Sequence, residues 1–206
     1  MKNPYTFSFG MPPSDLEPSS WCVVDVETGG LDPTKNSLLQ VAIFTPDIGA
    51  CSFLVRDSAG LTERSALEVN GLSIDEVREH GLDLESARRR FLKWTAGRAI
   101  VGQNVAFDLG FIASRLFELS PSSPACQLFG WRGIYDTLKI FRRLHDESEV
   151  PRARLIDIAT HYGFEVEPAQ CHDAAYDALL TSLIFKRELE ELDVFALKTI
   201  FGASAT

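Results

Sequence analysis

The chain has 206 residues, of which 45% are hydrophobic and 24% are charged, and its 20 Lys and Arg against 29 Asp and Glu give a net charge of −9. This composition excludes a chain that is disordered throughout, and the length predicts one domain with a sizeable hydrophobic core. The acidic balance argues against avid, non-specific coating of nucleic acid, but it is compatible with an enzyme whose acids are gathered in one metal site.

Targeting features and cysteine spacing give an expectation for the compartment. No apolar run approaches the roughly 18 residues that span a bilayer, and the N-terminus lacks the apolar stretch of a secretory signal. The 4 cysteines have no zinc-binding spacing, and we interpret them as reduced thiols. We therefore expect a cytoplasmic protein without a membrane partner.

The predicted strands come early in the chain and then alternate with helices. Residues 1–20 are rich in Pro and Ser and are expected to form a flexible, poorly ordered lead-in. Strands are predicted from apolar and β-branched runs at 21–26, 38–44, 51–55, 99–102 and 133–135. Helices are predicted from apolar periodicity at 62–69, 73–79, 83–94, 107–119, 138–144, 154–162 and 173–191.

This order of elements predicts the fold class. The turn sequence Pro46-Asp47-Ile48-Gly49 joins the second and third strands, so the first three strands are expected to form an antiparallel meander. The later strands alternate with helices, which predicts an α/β fold. Its mixed central sheet has three antiparallel strands plus parallel strands and is flanked by helices. We place the domain at residues 21–192 and a C-terminal tail at 193–206.

Asp25 and Glu27 are the first residues that suggest chemistry. They lie two positions apart at the end of an apolar strand, so their side chains are expected on one face of the sheet. Two carboxylates without a nearby Lys or Arg in sequence are most simply neutralised by a divalent cation, and hard oxygen ligands suit Mg²⁺ or Mn²⁺. The alternative is a strand end that enters solvent with both acids hydrated.

Three other residues, which lie further along the chain, suggest the same chemistry. Asp108 follows a predicted strand near the start of a helix, where its alternative role is helix capping. His172 and Asp177 lie at the start of the last predicted helix and inside it. Five positions span about 140° around a helix, so the two flank one pocket only if His172 belongs to the preceding loop. The alternative is a partly exposed His and a solvent-facing Asp.

Other polar residues receive a structural interpretation. Asp136 directly precedes a predicted helix, and we expect it to cap that helix. His80, His145 and His161 lie in polar or helix-end contexts. No chemistry is assigned to them from the sequence.

Three motifs now stand in order along the chain: Asp25-Val26-Glu27-Thr28-Gly29, Asn104-x-x-Phe107-Asp108 and His172-x-x-x-x-Asp177. They resemble the three motifs of the DEDDh 3′→5′ exonucleases. That family includes the proofreading epsilon subunit of bacterial DNA polymerase III, ribonuclease T and oligoribonuclease. The resemblance covers about residues 20–190, and Asn70-Gly71-Leu72-Ser73 is similar to an Asn-Gly-Ile-Thr stretch that is common in the family.

The resemblance implies a ribonuclease-H-like fold and hydrolysis of phosphodiester bonds with two divalent cations, Mg²⁺ or Mn²⁺. It implies that Asp25, Glu27, Asp108 and Asp177 are catalytic residues that hold these metals, with Asp25 bridging both ions. It also implies that His172 is the catalytic general base for the attacking water, a role that suits an imidazole near neutral pH.

The same resemblance assigns substrate binding to five residues: Thr28, Gly29, Leu31, Asn104 and Phe107. Backbone groups of Thr28 and Gly29 would contact the terminal 3′ nucleotide, and Leu31 would pack against its base. Ribonuclease T has a Phe at the position of Leu31, which offers apolar contact without stacking, so that enzyme's base preference is not expected here. For Asn104 and Phe107 the alternatives are a turn residue and a core aromatic.

Three functions follow from these motifs. The main hypothesis is a metal-dependent 3′→5′ exonuclease acting on single-stranded DNA 3′ ends, and the alternative is an exoribonuclease similar to ribonuclease T or oligoribonuclease. A catalytically silent module that binds nucleic acid or a polymerase is disfavoured, because all five active residues are present. The sequence leaves open a DNA polymerase partner and a homodimer.

Overall fold

The computed structural model describes residues 3–120, 131–167 and 173–202. Within these ranges, one sheet contains β1 (Trp21–Thr28), β2 (Leu38–Thr45), β3 (Gly49–Leu54), β4 (Ala99–Gly102) and β5 (Ile134–Asp136). The strand order is β3-β2-β1-β4-β5. The first three strands are antiparallel, whereas β4 and β5 run parallel to β1. The predicted mixed sheet is confirmed.

Helices flank this sheet on both faces. In the described part of the chain they are α1 (Arg64–Asn70), α2 (Ile74–His80), α3 (Leu84–Thr95), α4 (Ala106–Phe111), α5 (Thr137–Leu144), α6 (Leu155–His161) and α7 (Ala174–Gly202). None of the described helices is long and apolar enough to cross a membrane.

Two helices differ from the sequence prediction. The helix predicted at 107–119 is divided, because α4 passes into a π-helical turn at Ile112–Leu116. The helix predicted to end at 191 continues to Gly202. No Pro or Gly interrupts the chain between residues 192 and 201, so nothing in the local sequence ends the helix earlier.

Side chains alternate along β1, so its two faces pack against different helices. Cys22, Val24 and Val26 pack into a core that includes Phe91 of α3 and Leu109 of α4. The opposite face packs on α7, where the ring centroids of Trp21 and Phe185 lie 4.9 Å apart. Asp25 and Glu27 continue the α7 face beyond this apolar contact, because they keep the two-residue period of Trp21 and Val23.

The segment before β1 packs on the domain more closely than expected for a poorly ordered lead-in. Tyr5 and Phe7 are buried in the core on the α3 and α4 face. The Tyr5 hydroxyl donates to the Leu119 carbonyl at 2.7 Å, and the Gly10 N–H donates to Ile134 of β5 at 3.1 Å. Aromatic residues two positions apart, at Tyr5, Phe7 and Phe9, give this segment an apolar face that explains its burial.

Candidate active site

Three carboxylates converge where β1 ends beside the start of α7. One oxygen each from Asp25, Glu27 and Asp177 lies within 4.8 Å of the others. Ala174 and Ala178, which flank Asp177 on α7, are fully buried against the sheet. Their small side chains let the helix approach β1 closely, so that the Asp177 carboxylate reaches the two acids of the strand.

Asp108 joins this group from the first turn of α4. β4 ends at Gly102, and beyond this point the Val26 N–H of β1 donates to Oδ1 of Asp108 at 3.0 Å instead of to a strand carbonyl. Asp108 is buried. The bond fixes the carboxyl group beside β1, between Asp25 and Glu27 along the strand.

Asp136, the last residue of β5, supports the site from behind. Its Oδ1 accepts the Leu138 N–H at 3.1 Å, which confirms the predicted cap of α5. The same oxygen accepts the Asn104 N–H at 3.0 Å. Asn104 has a left-handed backbone with φ of 53°, a conformation that Asn tolerates better than most residues. Asp136 thus holds the turn that leads into α4.

The electrostatics of the group are strongly unfavourable for carboxylates alone. Burial, then the charges of Asp177, Asp108 and Asp173, raise the pKa of Glu27 from 4.5 to about 8. Burial also raises the pKa of Asp108 to about 8, against the lowering effect of its backbone hydrogen bonds. The pKa of Asp25 lies well above its ordinary value, first through burial and then through the neighbouring acids.

These acids form one wall of a cleft of about 450 Å³. Of the predicted substrate residues, Thr28, Leu31, Asn104 and Phe107 line it, and Leu31 is 70% exposed at its edge. Phe107 lines the cleft and also packs against the core, with its ring centroid 5.1 Å from that of Phe111.

Gly29 is the exception among the predicted substrate residues. Its N–H donates to the Ser37 carbonyl at 2.8 Å, and its carbonyl accepts the Glu63 N–H at 2.7 Å, so both backbone groups are engaged within the protein. Gly30, rather than Gly29, lines the cleft. A Cβ on Gly29 would lie 2.7 Å from the Leu61 carbonyl oxygen, so glycine permits the close approach of two loops.

Sequence reasoning missed the wall that faces the acids. It consists of residues just before and within α1: Glu63, Ser65, Ala66, Val69 and Asn70. The Asn70 side chain donates to the Thr28 carbonyl at 3.2 Å and joins α1 to the end of β1. Residues 70–73 were noted for their likeness to the family, and that likeness was the only sequence signal that pointed here.

Some predictions fall wholly or partly on residues outside the described ranges, and these include parts of the predicted lead-in and C-terminal tail. His172 is one of these residues, and so are Cys126 and Cys171. Cys22 and Cys51 carry free thiols. Burial raises the pKa of the Cys22 thiol to about 12, which makes it unsuited to act as a nucleophile.

The acids of the cleft fit a divalent metal ion. All their donor atoms are carboxylate oxygens, the ligands preferred by Mg²⁺ and Mn²⁺. None of the described residues that line the cleft is Lys or Arg. A bound cation would add positive charge beside these acids and return their raised pKa values toward the ordinary range.

The comparison with protein families defines the class of this protein as an exonuclease. The sequence profile of the RNase_T exonuclease family matches residues 22–185, and the chain belongs to this family. The family predicted from the three motifs is thereby confirmed.

Curated relatives include PolC-type DNA polymerases III. The protein of Staphylococcus saprophyticus is 25% identical over 181 residues, which are 87% of this chain and 12% of that protein. The protein of Bacillus subtilis is 24% identical over 182 residues, again 12% of its length. The chain therefore spans about an eighth of the relatives that it matches.

Solved structures of E. coli exonuclease I share the fold. A complex with a 5cy-dT13 oligonucleotide superimposes with a TM-score of 0.66 at 20% identity and covers 92% of this chain and 46% of exonuclease I. A second exonuclease I structure gives a TM-score of 0.67 at 19% identity over 85% of this chain and 43% of its own. This likeness confirms the predicted ribonuclease-H-like fold.

Proposed function

We propose that the protein is a 3′→5′ exonuclease that hydrolyses phosphodiester bonds at single-stranded DNA 3′ ends with two divalent cations. The observation that carries this proposal is the convergence of Asp25, Glu27 and Asp177 within 4.8 Å, in a cleft whose described lining contains no Lys or Arg. These carboxylates repel one another, and a cationic ligand would relieve that repulsion. The family membership supports phosphodiester hydrolysis as the use of that ligand.

Four carboxylates would hold the ions: Asp25, Glu27, Asp108 and Asp177. When bound, the ions would neutralise the scissile phosphate, make the attacking water more acidic and stabilise the leaving oxygen. The chain keeps Asp25 and Glu27 on one strand face and fixes Asp108 through the Val26 N–H. The positions of these oxygens are therefore set before substrate binds, which reduces the cost of reorganisation during the reaction.

His172 is proposed as the general base on its family resemblance. It would take a proton from the water whose oxygen attacks phosphorus, while the bond from phosphorus to the 3′ oxygen breaks and releases a 5′ mononucleotide. Asp173, the next residue, accepts the Ala175 N–H at 2.8 Å and caps the first turn of α7. Its charge contributes to the raised pKa of Glu27. The support for His172 is that it directly precedes Asp173 in the sequence.

The relatives favour DNA over RNA as the substrate. The curated relatives are DNA polymerases, and the exonuclease I structure holds a dT13 oligonucleotide. The cleft adds an apolar edge that fits a base at a frayed or single-stranded end, with Leu31 and Val69 exposed there. The same relatives support a DNA polymerase as a partner, which co-elution with a purified replicative polymerase on gel filtration would test.

The direct test uses 5′-labelled single strands of DNA and RNA with equal sequence. With Mg²⁺ we expect a ladder that shortens from the 3′ end, faster for DNA, and no reaction in EDTA. Asp25→Asn should abolish both Mg²⁺ binding and cleavage. His172→Ala should lower the rate much more than the affinity for Mg²⁺.

An exposed acid provides the matched control. Asp75 lies on α2, away from the cleft, and Asp75→Asn should cleave at the rate of the original protein. Faster cleavage of RNA would overturn the DNA assignment and support the exoribonuclease. Failure of the original protein to cut either strand with Mg²⁺ or Mn²⁺ would overturn the nuclease proposal.

A further inference from the structure

A second cluster of ligand-type side chains lies outside the cleft. His145 follows α5, Glu149 lies in the next loop, and His161 is the last residue of α6. One ligand atom from each of the three lies within 4.8 Å of the others. None of them lines the cleft of the acidic site. We call these three residues the histidine cluster.

The distances inside the histidine cluster are too long for hydrogen bonds. Nδ1 of His145 lies 3.8 Å from Oε2 of Glu149, and Nε2 of His161 lies 4.0 Å from the same oxygen. Hydrogen bonds to nitrogen are normally 2.7–3.2 Å long. The three atoms therefore surround a small space without closing it by direct contact.

The environment of His145 leaves one of its nitrogens for this space. Its Nε2 lies 2.9 Å from Oε2 of Glu191 on α7 and 3.0 Å from the Tyr162 hydroxyl. A proton on Nε2 satisfies that carboxylate, and Nδ1 then turns a lone pair toward Glu149. Histidine ligands of metals commonly donate their second ring nitrogen to a carboxylate in this way.

The rings are held in place, and the cluster is open to solvent on one side. His145 stacks on Phe141 with ring centroids 4.5 Å apart, and the rings of His145 and His161 are 4.7 Å apart. Glu149 is the most accessible member, with 46% of its side chain exposed. Glu149 and His161 also line a surface pocket, which gives an ion a path of entry.

We propose that the histidine cluster binds one Zn²⁺ ion. Two imidazole nitrogens and one carboxylate oxygen are a common zinc ligand set, and the open fourth position takes water. Zinc bonds of about 2.0–2.1 Å place adjacent tetrahedral ligands about 3.3 Å apart. The Glu149 oxygen lies 3.8 and 4.0 Å from the two nitrogens, and rotation of this exposed side chain would shorten both distances toward that value. A set with two imidazoles favours Zn²⁺ over the Mg²⁺ that suits the acidic cleft.

The ion would join three parts of the chain. His145 and His161 bring together the ends of α5 and α6, and Glu191 of α7 contacts the Nε2 atom of His145. Bound zinc should therefore raise the melting temperature of the protein, because it binds the folded arrangement of ligands. It should not replace Mg²⁺ in cleavage.

The test measures zinc binding in a protein whose acidic site is disabled. The full chain carrying Asp25→Asn and Asp177→Asn is titrated with ZnCl₂ by calorimetry in the presence of Mg²⁺. We expect one equivalent of zinc and a higher melting temperature. Adding His161→Gln or Glu149→Gln should abolish this binding, and Glu191→Gln should weaken it by about 10–100-fold.

A histidine elsewhere provides the matched control. His80 is exposed at the end of α2, and His80→Gln should leave zinc binding unchanged. Far-UV circular dichroism shows whether each variant is folded, and Glu149→Gln alters an exposed side chain. Equal zinc binding with and without Glu149→Gln and His161→Gln would overturn the proposal. So would the absence of zinc binding by the folded protein that carries Asp25→Asn and Asp177→Asn.

Discussion

Two aspartates of this domain, Asp57 and Asp25, show opposite solutions to placing a carboxylate inside a protein. Asp57 is buried, and Arg115 holds both of its oxygens, at 2.6 and 2.7 Å. It also accepts the Leu38 N–H at 3.1 Å. Asp25 instead faces other carboxylates, and no Lys or Arg lines its cleft among the described residues.

The difference distinguishes an acid that supports the fold from an acid that serves a ligand. The charge of Asp57 is balanced inside the chain, so the pair is complete without any further group. Burial and the charges of neighbouring acids raise the pKa values of Asp25 and Glu27, and a bound cation would offset both effects. The fold therefore tolerates an unfavourable site at the carboxyl ends of its parallel strands, where ligands of open α/β sheets commonly bind.

Removing the unbalanced acid should have the largest effect on catalysis. We expect Asp25→Asn to lower the rate of DNA cleavage by on the order of 10⁴-fold, since metal ions supply several kcal/mol of transition-state stabilisation. Single-turnover cleavage of a labelled strand measures this change. A loss of less than about tenfold, which is 1.4 kcal/mol, would contradict a central role for Asp25.

Removing the positively charged side chain of Arg115 from its pair with Asp57 should instead affect stability. Arg115→Met leaves Asp57 buried and uncompensated, and we expect the free energy of unfolding to fall by about 3 kcal/mol. Urea unfolding measures it. The control is Arg78→Met, which breaks an exposed pair with Asp75 and should cost at most about 0.5 kcal/mol. Equal losses in the free energy of unfolding for both changes would show that the burial of Asp57 does not determine the cost of removing its partner.

The pH dependence of stability should reveal the unbalanced site. The pKa of Glu27 rises from 4.5 in the unfolded chain to about 8 in the folded protein without metal. The folded state then binds more protons between these values, so its stability falls as pH rises from about 4.5 to about 8. Melting temperatures in EDTA across this range measure the slope.

A neutral variant tests the origin of that slope. Glu27→Gln should flatten it, and Asp108, whose pKa is also raised to about 8, should account for part of what remains. Mg²⁺ should flatten the slope in the original protein, because metal binding needs the deprotonated acids. Stability that rises with pH over the same range in EDTA would contradict the raised pKa values.

The smallest effect is expected at the edge of the cleft. Leu31→Ala removes an exposed apolar side chain that we place against the terminal base, and KM for DNA should rise by roughly tenfold, from about 1.5 kcal/mol of lost contact. Steady-state kinetics measure KM, and the melting temperature should not change. Ile48→Ala, at an exposed apolar position in the β2–β3 turn, is the control. An unchanged KM would place Leu31 outside the substrate path.

Much of the fold could be predicted because local patterns agree with tertiary structure. The apolar run of β1 and the alternation that carries Asp25 and Glu27 to one face are local properties, and the structure places both acids together. The strand at Ala99–Gly102 has the predicted bounds. The capping role of Asp136 was also predicted correctly, because a cap bonds to the residues that directly follow it.

Contacts between distant segments could not be predicted in the same way. Val69 and Glu63 face the acids because the loop before α1 bonds to Gly29 and the Asn70 side chain bonds to Thr28, and neither contact has a periodic signal. The helix predicted at 107–119 is divided after Phe111, where α4 passes into a π-helical turn. His145 and His161 are 16 positions apart and meet only because α5 and α6 fold together, so the sequence assigned them no chemistry.

The most direct test of the central claim is the melting temperature of the original protein and of Asp25→Asn, each in EDTA and in Mg²⁺. Because the acids of the cleft repel one another, we expect Asp25→Asn to have a higher melting temperature than the original protein in EDTA. We also expect Mg²⁺ to raise the melting temperature of the original protein but not that of the variant. A variant that melts lower in EDTA and responds equally to Mg²⁺ would contradict the account, because Asp25 would then be an ordinary structural acid.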